Sequence, residues 1–165
     1  MPAGATYEPI ATINPSGTSN ITFNSFGGYT DLRIVFYGLL TTSTSSITMR
    51  VNGDSTSIYS QTNMTGTGSS AVSDAMTNYN NWVLGNYSTL STTPSLWTVD
   101  LFSYTGSTNK TSLITVSADL NGSGNVERFV GLYRSTSAIT SITIIPNSGN
   151  VSSSSRITLY GIKAA

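Results

Sequence analysis

The stretch Asp31-Leu32-Arg33-Ile34-Val35-Phe36 places a large apolar side chain at every second position, at Leu32, Ile34 and Phe36. Successive side chains of an extended strand point to opposite faces, so these three share one face. The same period of two recurs along the chain, with threonine at many intervening positions, in segments 47–51, 97–102, 114–117, 142–144 and 157–159. Threonine fits the solvent face of a strand well. The pattern predicts an all-β protein.

Turn-forming residues separate these runs. Asn52-Gly53-Asp54 predicts a tight hairpin turn with positive φ, and Asn121-Gly122-Ser123-Gly124 predicts a second turn. Ala71–Met76 lies in the least regular region, 62–80, and is interpreted as one helical turn on a long loop. Many short strands are typical of a β-sandwich or a barrel, here as a single domain over residues 1–165. We predict about ten strands, near 6–13, 19–24, 31–39, 46–51, 56–61, 81–88, 96–104, 111–119, 126–134 and 139–145, plus a terminal one over 156–163.

The composition excludes several classes of function. Roughly a third of the 165 residues are serine or threonine, charged residues make up 8%, and seven basic side chains balance seven acidic ones. Without a basic stripe we expect no nucleic-acid partner, and without a polybasic or long apolar segment we expect no membrane partner. The chain has no histidine and no cysteine. The usual general base and the commonest metal ligands are therefore missing, and we expect no enzyme, cofactor or metal site.

Two arrangements of reactive residues deserve comparison with known catalytic patterns. Asp119 and Glu127 flank the predicted turn at 121–124 and could face each other at the roughly 5 Å spacing of a retaining glycosidase. The simpler interpretation is that they are solvated loop charges balanced by Arg128. Ser107-x-x-Lys110 matches a serine–lysine signature, but it lies in a predicted loop and not at the helix start that the motif requires. We predict no catalytic residue.

The aromatic residues allow two interpretations. The chain has two tryptophans and nine tyrosines, and we expect Trp97 to lie in the core. Tyrosines at strand ends or in loops could form a sugar-stacking platform, or they could line a contact between subunits. Tyrosine and tryptophan are enriched at protein interfaces, which favours the second interpretation. The tyrosines in question are Tyr7, Tyr29, Tyr59, Tyr79 and Tyr87.

The N-terminal segment is a candidate interface element. Pro9 cannot donate a hydrogen bond to a β-ladder, whereas Tyr7 and Ile10 are apolar anchors. We therefore expect residues 1–10 to form an extended arm on a neighbouring subunit or on a larger shell, with Tyr7, Pro9 and Ile10 as its interface residues. The alternative is that the segment is an edge strand of the protein's own sheet.

Several segments in a fixed order carry a family resemblance: Tyr7–Thr12, Tyr29–Arg33, Met49–Asp54 with Tyr59-Ser60, Val130–Ser135, and Ile157–Ala165. Together they resemble small virion proteins of tailed bacteriophages, many of them from aquatic and cyanobacterial hosts. The resemblance spans nearly the whole chain and rests on strand and turn patterns. It implies an antiparallel two-sheet β-sandwich of the jelly-roll type, and it supplies no active-site residue.

The resemblance also implies a role in the virion. The first expectation is a capsid decoration (cement) protein, a homotrimer at quasi-threefold positions on the capsid surface, whose partner is the major capsid protein. Such a protein would be made in the host cytoplasm. The alternative is a receptor- or glycan-binding module of a head or tail fibre. The chain shows no heptads and no collagen-like or solenoid repeat, which favours decoration.

Overall fold

The computed structural model describes residues 6–42, 46–85, 92–119 and 121–163. Twelve strands are present in this part of the chain, and every pairing between them is antiparallel. The strands are β1 (Tyr7–Ile13), β2 (Ile21–Asn24), β3 (Asp31–Gly38), β4 (Ile47–Val51), β5 (Tyr59–Gly66), β6 (Ala71–Tyr79), β7 (Trp82–Gly85), β8 (Ser95–Phe102), β9 (Lys110–Ala118), β10 (Asn125–Tyr133), β11 (Ser141–Pro146) and β12 (Arg156–Ile162).

The strands form two sheets. The larger has eight strands in the order β1-β12-β3-β8-β9-β10-β5-β6, and the smaller has four in the order β2-β11-β4-β7. Apolar side chains from both sheets form one core, in which Phe36 and Trp97 pack with ring centroids 4.6 Å apart. The predicted antiparallel two-sheet β-sandwich of the jelly-roll type is thus confirmed. No described segment forms a helix long and apolar enough to cross a membrane.

The interpretation of Ala71–Met76 as a helical turn is wrong. These residues belong to β6, which pairs with β5 and forms one edge of the large sheet. Met76 is the one buried residue of β6. Because an exposed edge strand needs no apolar face, β6 lacks the alternation by which the other strands are recognised.

The turn at Asn52-Gly53 has the predicted backbone but a different role. Asn52 and Gly53 have φ values of 55° and 64°, and the Asp54 amide donates to the Val51 carbonyl at 3.0 Å. The flanking strands do not form a hairpin, since β4 lies in the small sheet and β5 in the large one. The turn carries the chain from one sheet to the other. The turn over 121–124 does join a hairpin, between β9 and β10.

The N-terminal strand lies at the other edge of the large sheet. Tyr7 pairs with Ile162 and Pro9 with Tyr160, and the register shifts between Pro9 and Ala11. For residues 7–10 the structure therefore shows the edge-strand alternative and not a free arm. Residues 1–5 of the expected arm lie outside the described residues.

Lys110, at the start of β9, is a buried cation with a structural role. Its side chain is 1% exposed, and its Nζ donates to the carbonyl oxygens of Gly106, Thr108 and Ser135 at 2.6, 2.5 and 3.4 Å. These contacts use the three donors of an ammonium group. Lys110 thus ties the loop before β9 to the loop after β10.

Replacing Lys110 with methionine should lower the free energy of unfolding by about 2–4 kcal/mol, because several loop carbonyls lose a charged donor inside the protein. Urea unfolding followed by circular dichroism measures the change. Lys163→Met is the matched control: Lys163 bonds Glu8 at the surface, and its loss should cost less than about 1 kcal/mol. Equal effects of the two substitutions would contradict this role for Lys110.

Candidate functional site

The outer face of the eight-stranded sheet, which points away from the small sheet, is unusually apolar. Seven large hydrophobic side chains on this face are at least 39% exposed. The solvated face of an antiparallel sheet is normally polar, and exposed apolar area on such a face is often part of an interaction site. The seven residues are Tyr7, Tyr37, Met64, Leu96, Phe102, Val126 and Val130.

One part of this face is rich in aliphatic side chains, and we define the aliphatic patch as Met64, Leu113, Val126, Val130 and Leu132, which lie around the exposed Arg128. Leu113 lies opposite Val130 in the β9–β10 ladder. Met64, Val126 and Val130 are 67%, 61% and 54% exposed. The three strands β5, β9 and β10, at about 4.8 Å spacing and about seven residues long, give the patch an area of roughly 300 Å².

At one end of β5 and β10 the inward-facing side is polar although it is buried. Asn63, Thr65 and Asn125 are at most 7% exposed, and Glu127 is fully buried. Asn125 Nδ2 donates to Glu127 Oε1 at 2.8 Å. At this end of β5 and β10 the usual arrangement is inverted, with polar side chains inside and apolar ones outside.

An ion pair lies at the centre of the outer face. Arg33 donates to both carboxylate oxygens of Asp100, from Nε at 2.5 Å and from Nη2 at 2.9 Å. Asp100 is 8% exposed, and its hydrogen bond raises the pKa of Arg33. Two further guanidinium groups on this face, those of Arg128 and Arg156, are exposed and form no ion pair within the described part of the chain. The outer face therefore offers two cations to a partner.

A groove crosses β3 and β12 on the same face, and we call it the tyrosine groove. It has a volume of about 510 Å³ and is lined by Val35, Tyr37, Ser154, Arg156, Thr158 and Tyr160. Arg156 lies directly opposite Tyr37 in the β3–β12 ladder. The Tyr160 ring stacks on the Tyr7 ring at the sheet edge, with centroids 4.7 Å apart and 19° between planes. One end of the groove is therefore an aromatic ring held in place by a second ring.

The two carboxylates compared with a glycosidase pair do not form one site. Asp119 is exposed, and its Oδ1 accepts a hydrogen bond from the Gly122 amide at 2.8 Å within the β9–β10 turn. The interpretation of Glu127 as a solvated loop charge is wrong, because its position in β10 faces inward. Lys110 is occupied by backbone carbonyls, and Ser107 lies exposed in the preceding loop. Among the described residues no three histidine, cysteine, aspartate or glutamate side chains group as a metal site.

The aromatic predictions are met in part. Trp97 is 1% exposed, as expected of a core residue. Tyr59, considered for a sugar platform, is fully buried, and its hydroxyl donates to the Asp54 carbonyl at 3.0 Å. Tyr87 lies outside the described residues. The sequence analysis did not identify Tyr37 and Tyr160, which lie within strands. Each is two residues from another groove residue, Val35 and Thr158 respectively, and this spacing places each pair on one face of its strand.

The N-terminal interface candidates divide between two environments. Tyr7 is 44% exposed on the outer face, and Pro9 is also exposed. Ile10 is half-buried and packs against the core. Tyr7 and Pro9 therefore border the tyrosine groove, whereas Ile10 anchors the edge strand to the body of the protein.

Comparisons with known proteins assign this chain to no family. No family model matches the chain, and no curated protein matches it at a significant level. One similar solved structure is the crystal structure of the Caenorhabditis elegans galectin LEC-6, at 14% sequence identity, 98% coverage of this chain, 99% coverage of that chain and a TM-score of 0.36. A similarity at this level carries no information on function.

Proposed function

We propose that the protein is a non-enzymatic virion structural protein that decorates a bacteriophage capsid and stabilises the joints between capsid subunits. The observation that supports this most is the aliphatic patch on the outer face of the large sheet. Exposed apolar area of this kind gains free energy when a partner covers it, at about 25 cal/mol per Å². The partner in this proposal is the outer surface of the major capsid protein.

The size of the patch favours binding as an oligomer. A standard protein–protein interface buries about 800 Å² on each partner, which is more than twice the roughly 300 Å² of the patch. One copy would therefore bind a shell weakly. A trimer that presents three patches to three equivalent capsid sites would bind far more tightly, because the second and third contacts form at high effective concentration.

The charge balance is compatible with dense packing on a shell. The seven basic and seven acidic side chains cancel, so neighbouring copies would not accumulate repulsive charge. Arg128, which lies between Val126 and Val130 on the outer side of β10, is the free cation nearest the patch. It lies among the patch residues, directly opposite Met64, and would pair with an acidic group on the shell inside the apolar contact.

Rebinding to stripped particles tests this proposal. Phage particles freed of this protein are mixed with increasing amounts of the purified chain, and bound protein is quantified after sedimentation. We expect saturable binding at a fixed copy number per shell that is a multiple of three, together with greater heat resistance of the decorated particles. Absence of saturable binding, with particles that bind other capsid ligands normally, would contradict the proposal.

A second candidate is a receptor- or glycan-binding module of a fibre. The tyrosine groove is the specific observation in its favour, since two aromatic rings and hydroxyl side chains line it. Binding to intact host cells but not to stripped particles would favour this candidate. Binding to particles but not to cells would favour decoration.

A further inference from the structure

We infer that the tyrosine groove is a binding site for a carboxylated oligosaccharide, such as a chain containing uronic acids. The groove lies over β3 and β12, whereas the aliphatic patch lies over β5, β9 and β10, and β8 separates the two. The inference rests on the second candidate function, glycan binding through this groove, and does not depend on shell binding.

The dimensions suit a short segment of a sugar chain. Arg156 and Tyr160 are four residues apart on β12, which places the two ends of the groove about 13 Å apart. The volume of about 510 Å³ lies within the roughly 300–1,000 Å³ of small-ligand sites. Tyr37, 53% exposed, lies at the end beside Arg156, and Tyr160 lies at the other. Two rings at this separation can each stack on the apolar face of one sugar.

The charge in the groove selects an acidic ligand. The Arg156 guanidinium is exposed and has no hydrogen-bonded or ionic partner within the described ranges. No aspartate or glutamate lines the groove, and the neighbouring Arg33 is already neutralised by Asp100. A free guanidinium binds a carboxylate through two parallel hydrogen bonds. Arg156 therefore gives the groove a preference for a carboxylate at the Tyr37 end.

Polar groups around the rings complete the site. Thr158 Oγ1 is fixed by a hydrogen bond of 3.0 Å with Thr12, and Ser154 Oγ lies 3.0 Å from Ser152 Oγ. Ser154 is exposed, so its hydroxyl can accept or donate a hydrogen bond to a sugar hydroxyl. Thr158 is 6% exposed and lies at the base of the groove. Tyr7 acts as a positioning residue, because its ring backs the Tyr160 ring. The site thus uses rigid strands and a preformed aromatic stack, which limits the ordering cost of binding.

Titration calorimetry of the full chain with a uronic-acid tetrasaccharide tests the inference. The comparison ligand is the same tetrasaccharide with its carboxylates reduced to alcohols, at about 150 mM salt so that long-range attraction is screened. We expect the acidic ligand to bind at least about tenfold more tightly. Arg156→Gln should remove that preference, and Tyr37→Ala should weaken binding of both ligands.

Arg128→Gln is the matched control, because it removes a second exposed arginine from the same sheet face outside the groove. It should leave the affinity unchanged. An equal loss with Arg128→Gln and Arg156→Gln would overturn the inference, as would equal affinity of the wild-type chain for the two sugars. An acidic peptide, hexaglutamate, that binds as tightly as the sugar with the same dependence on Arg156 would also overturn it.

Discussion

Replacing Val130 with aspartate should reduce binding to stripped capsid particles at least about a hundredfold, because the docked surface would bury a carboxylate in the aliphatic patch. That carboxylate would also pair with Arg128, two residues away on the same side of β10, and so remove Arg128 from its acidic partner on the shell. Val130 is 54% exposed, so the fold itself should tolerate the change, with a cost within about 1 kcal/mol. Co-sedimentation with particles over a range of protein concentrations measures the loss.

Thr22→Asp is the control for Val130→Asp. Thr22 lies on β2 in the small sheet and is exposed, so the substitution adds the same charge to the opposite side of the sandwich. The Thr22 variant should bind shells like the wild-type protein. If both variants lose binding equally, net charge and not the patch governs attachment; if neither does, the patch is not the docking surface.

The protein should unfold cooperatively in alkali, with stability falling steeply above about pH 10. Burial raises the pKa of Tyr59, Tyr104 and Tyr133 above the ordinary value of 10.0. These hydroxyls ionise first in the unfolded chain, so the stability that they contribute is complete below pH 10 and is lost as the pH rises towards their folded pKa. Each fully coupled tyrosine removes about 1.4 kcal/mol per pH unit.

Lys110 acts in the opposite direction over part of this range. Burial lowers the pKa of Lys110 below 10.5, so the unfolded chain holds that proton more tightly than the folded protein. The contribution of Lys110 to the free energy of unfolding therefore rises slightly as the pH increases towards 10.5. Three tyrosines outweigh one lysine. Between about pH 6 and 9 stability should stay level, because the chain has no histidine to titrate there.

Urea unfolding at a series of pH values, with tyrosinate absorbance near 295 nm as a second probe, measures the alkaline effect. Tyr59→Phe should make the fall above pH 10 shallower, although it also weakens the protein at neutral pH by leaving the Asp54 and Val51 carbonyls without its hydroxyl. Tyr37→Phe, at an exposed position, is the matched control and should leave the slope as it is. Level stability up to pH 12 would contradict the account.

The strands that could be predicted are those with one buried face. In β3 and β9 every second residue is buried and the residues between are half-buried or exposed, and the spacing of hydrophobic residues follows that alternation directly. β6 could not be predicted, because it is held by backbone pairing to β5 and buries only Met76. The turn residues at 52–54 could not predict that β4 and β5 belong to different sheets, since a positive-φ turn fits a hairpin and a sheet crossover equally well.

The candidate site could not be predicted from the sequence for a related reason. In β10, Val126 and Val130 are exposed, whereas Asn125 and Glu127 are buried, so a rule that places apolar residues inside gives the wrong face there. The error over Glu127 and the failure to see the aliphatic patch have this same origin. The tyrosine groove depends on the β3–β12 pairing, which brings Tyr37 beside Arg156 across 119 positions of sequence.

Protection of the aliphatic patch on the particle tests the central claim most directly. The chain has no cysteine, so Met64→Cys and Thr22→Cys each introduce a single thiol, one in the patch and one on the small sheet. Their rates of labelling by a maleimide are compared in the free protein and in the protein bound to particles. We expect the thiol at position 64 to react at least about tenfold more slowly on particles, as a buried contact requires, with no change at position 22. Equal labelling of position 64 in the two states would contradict docking through this face.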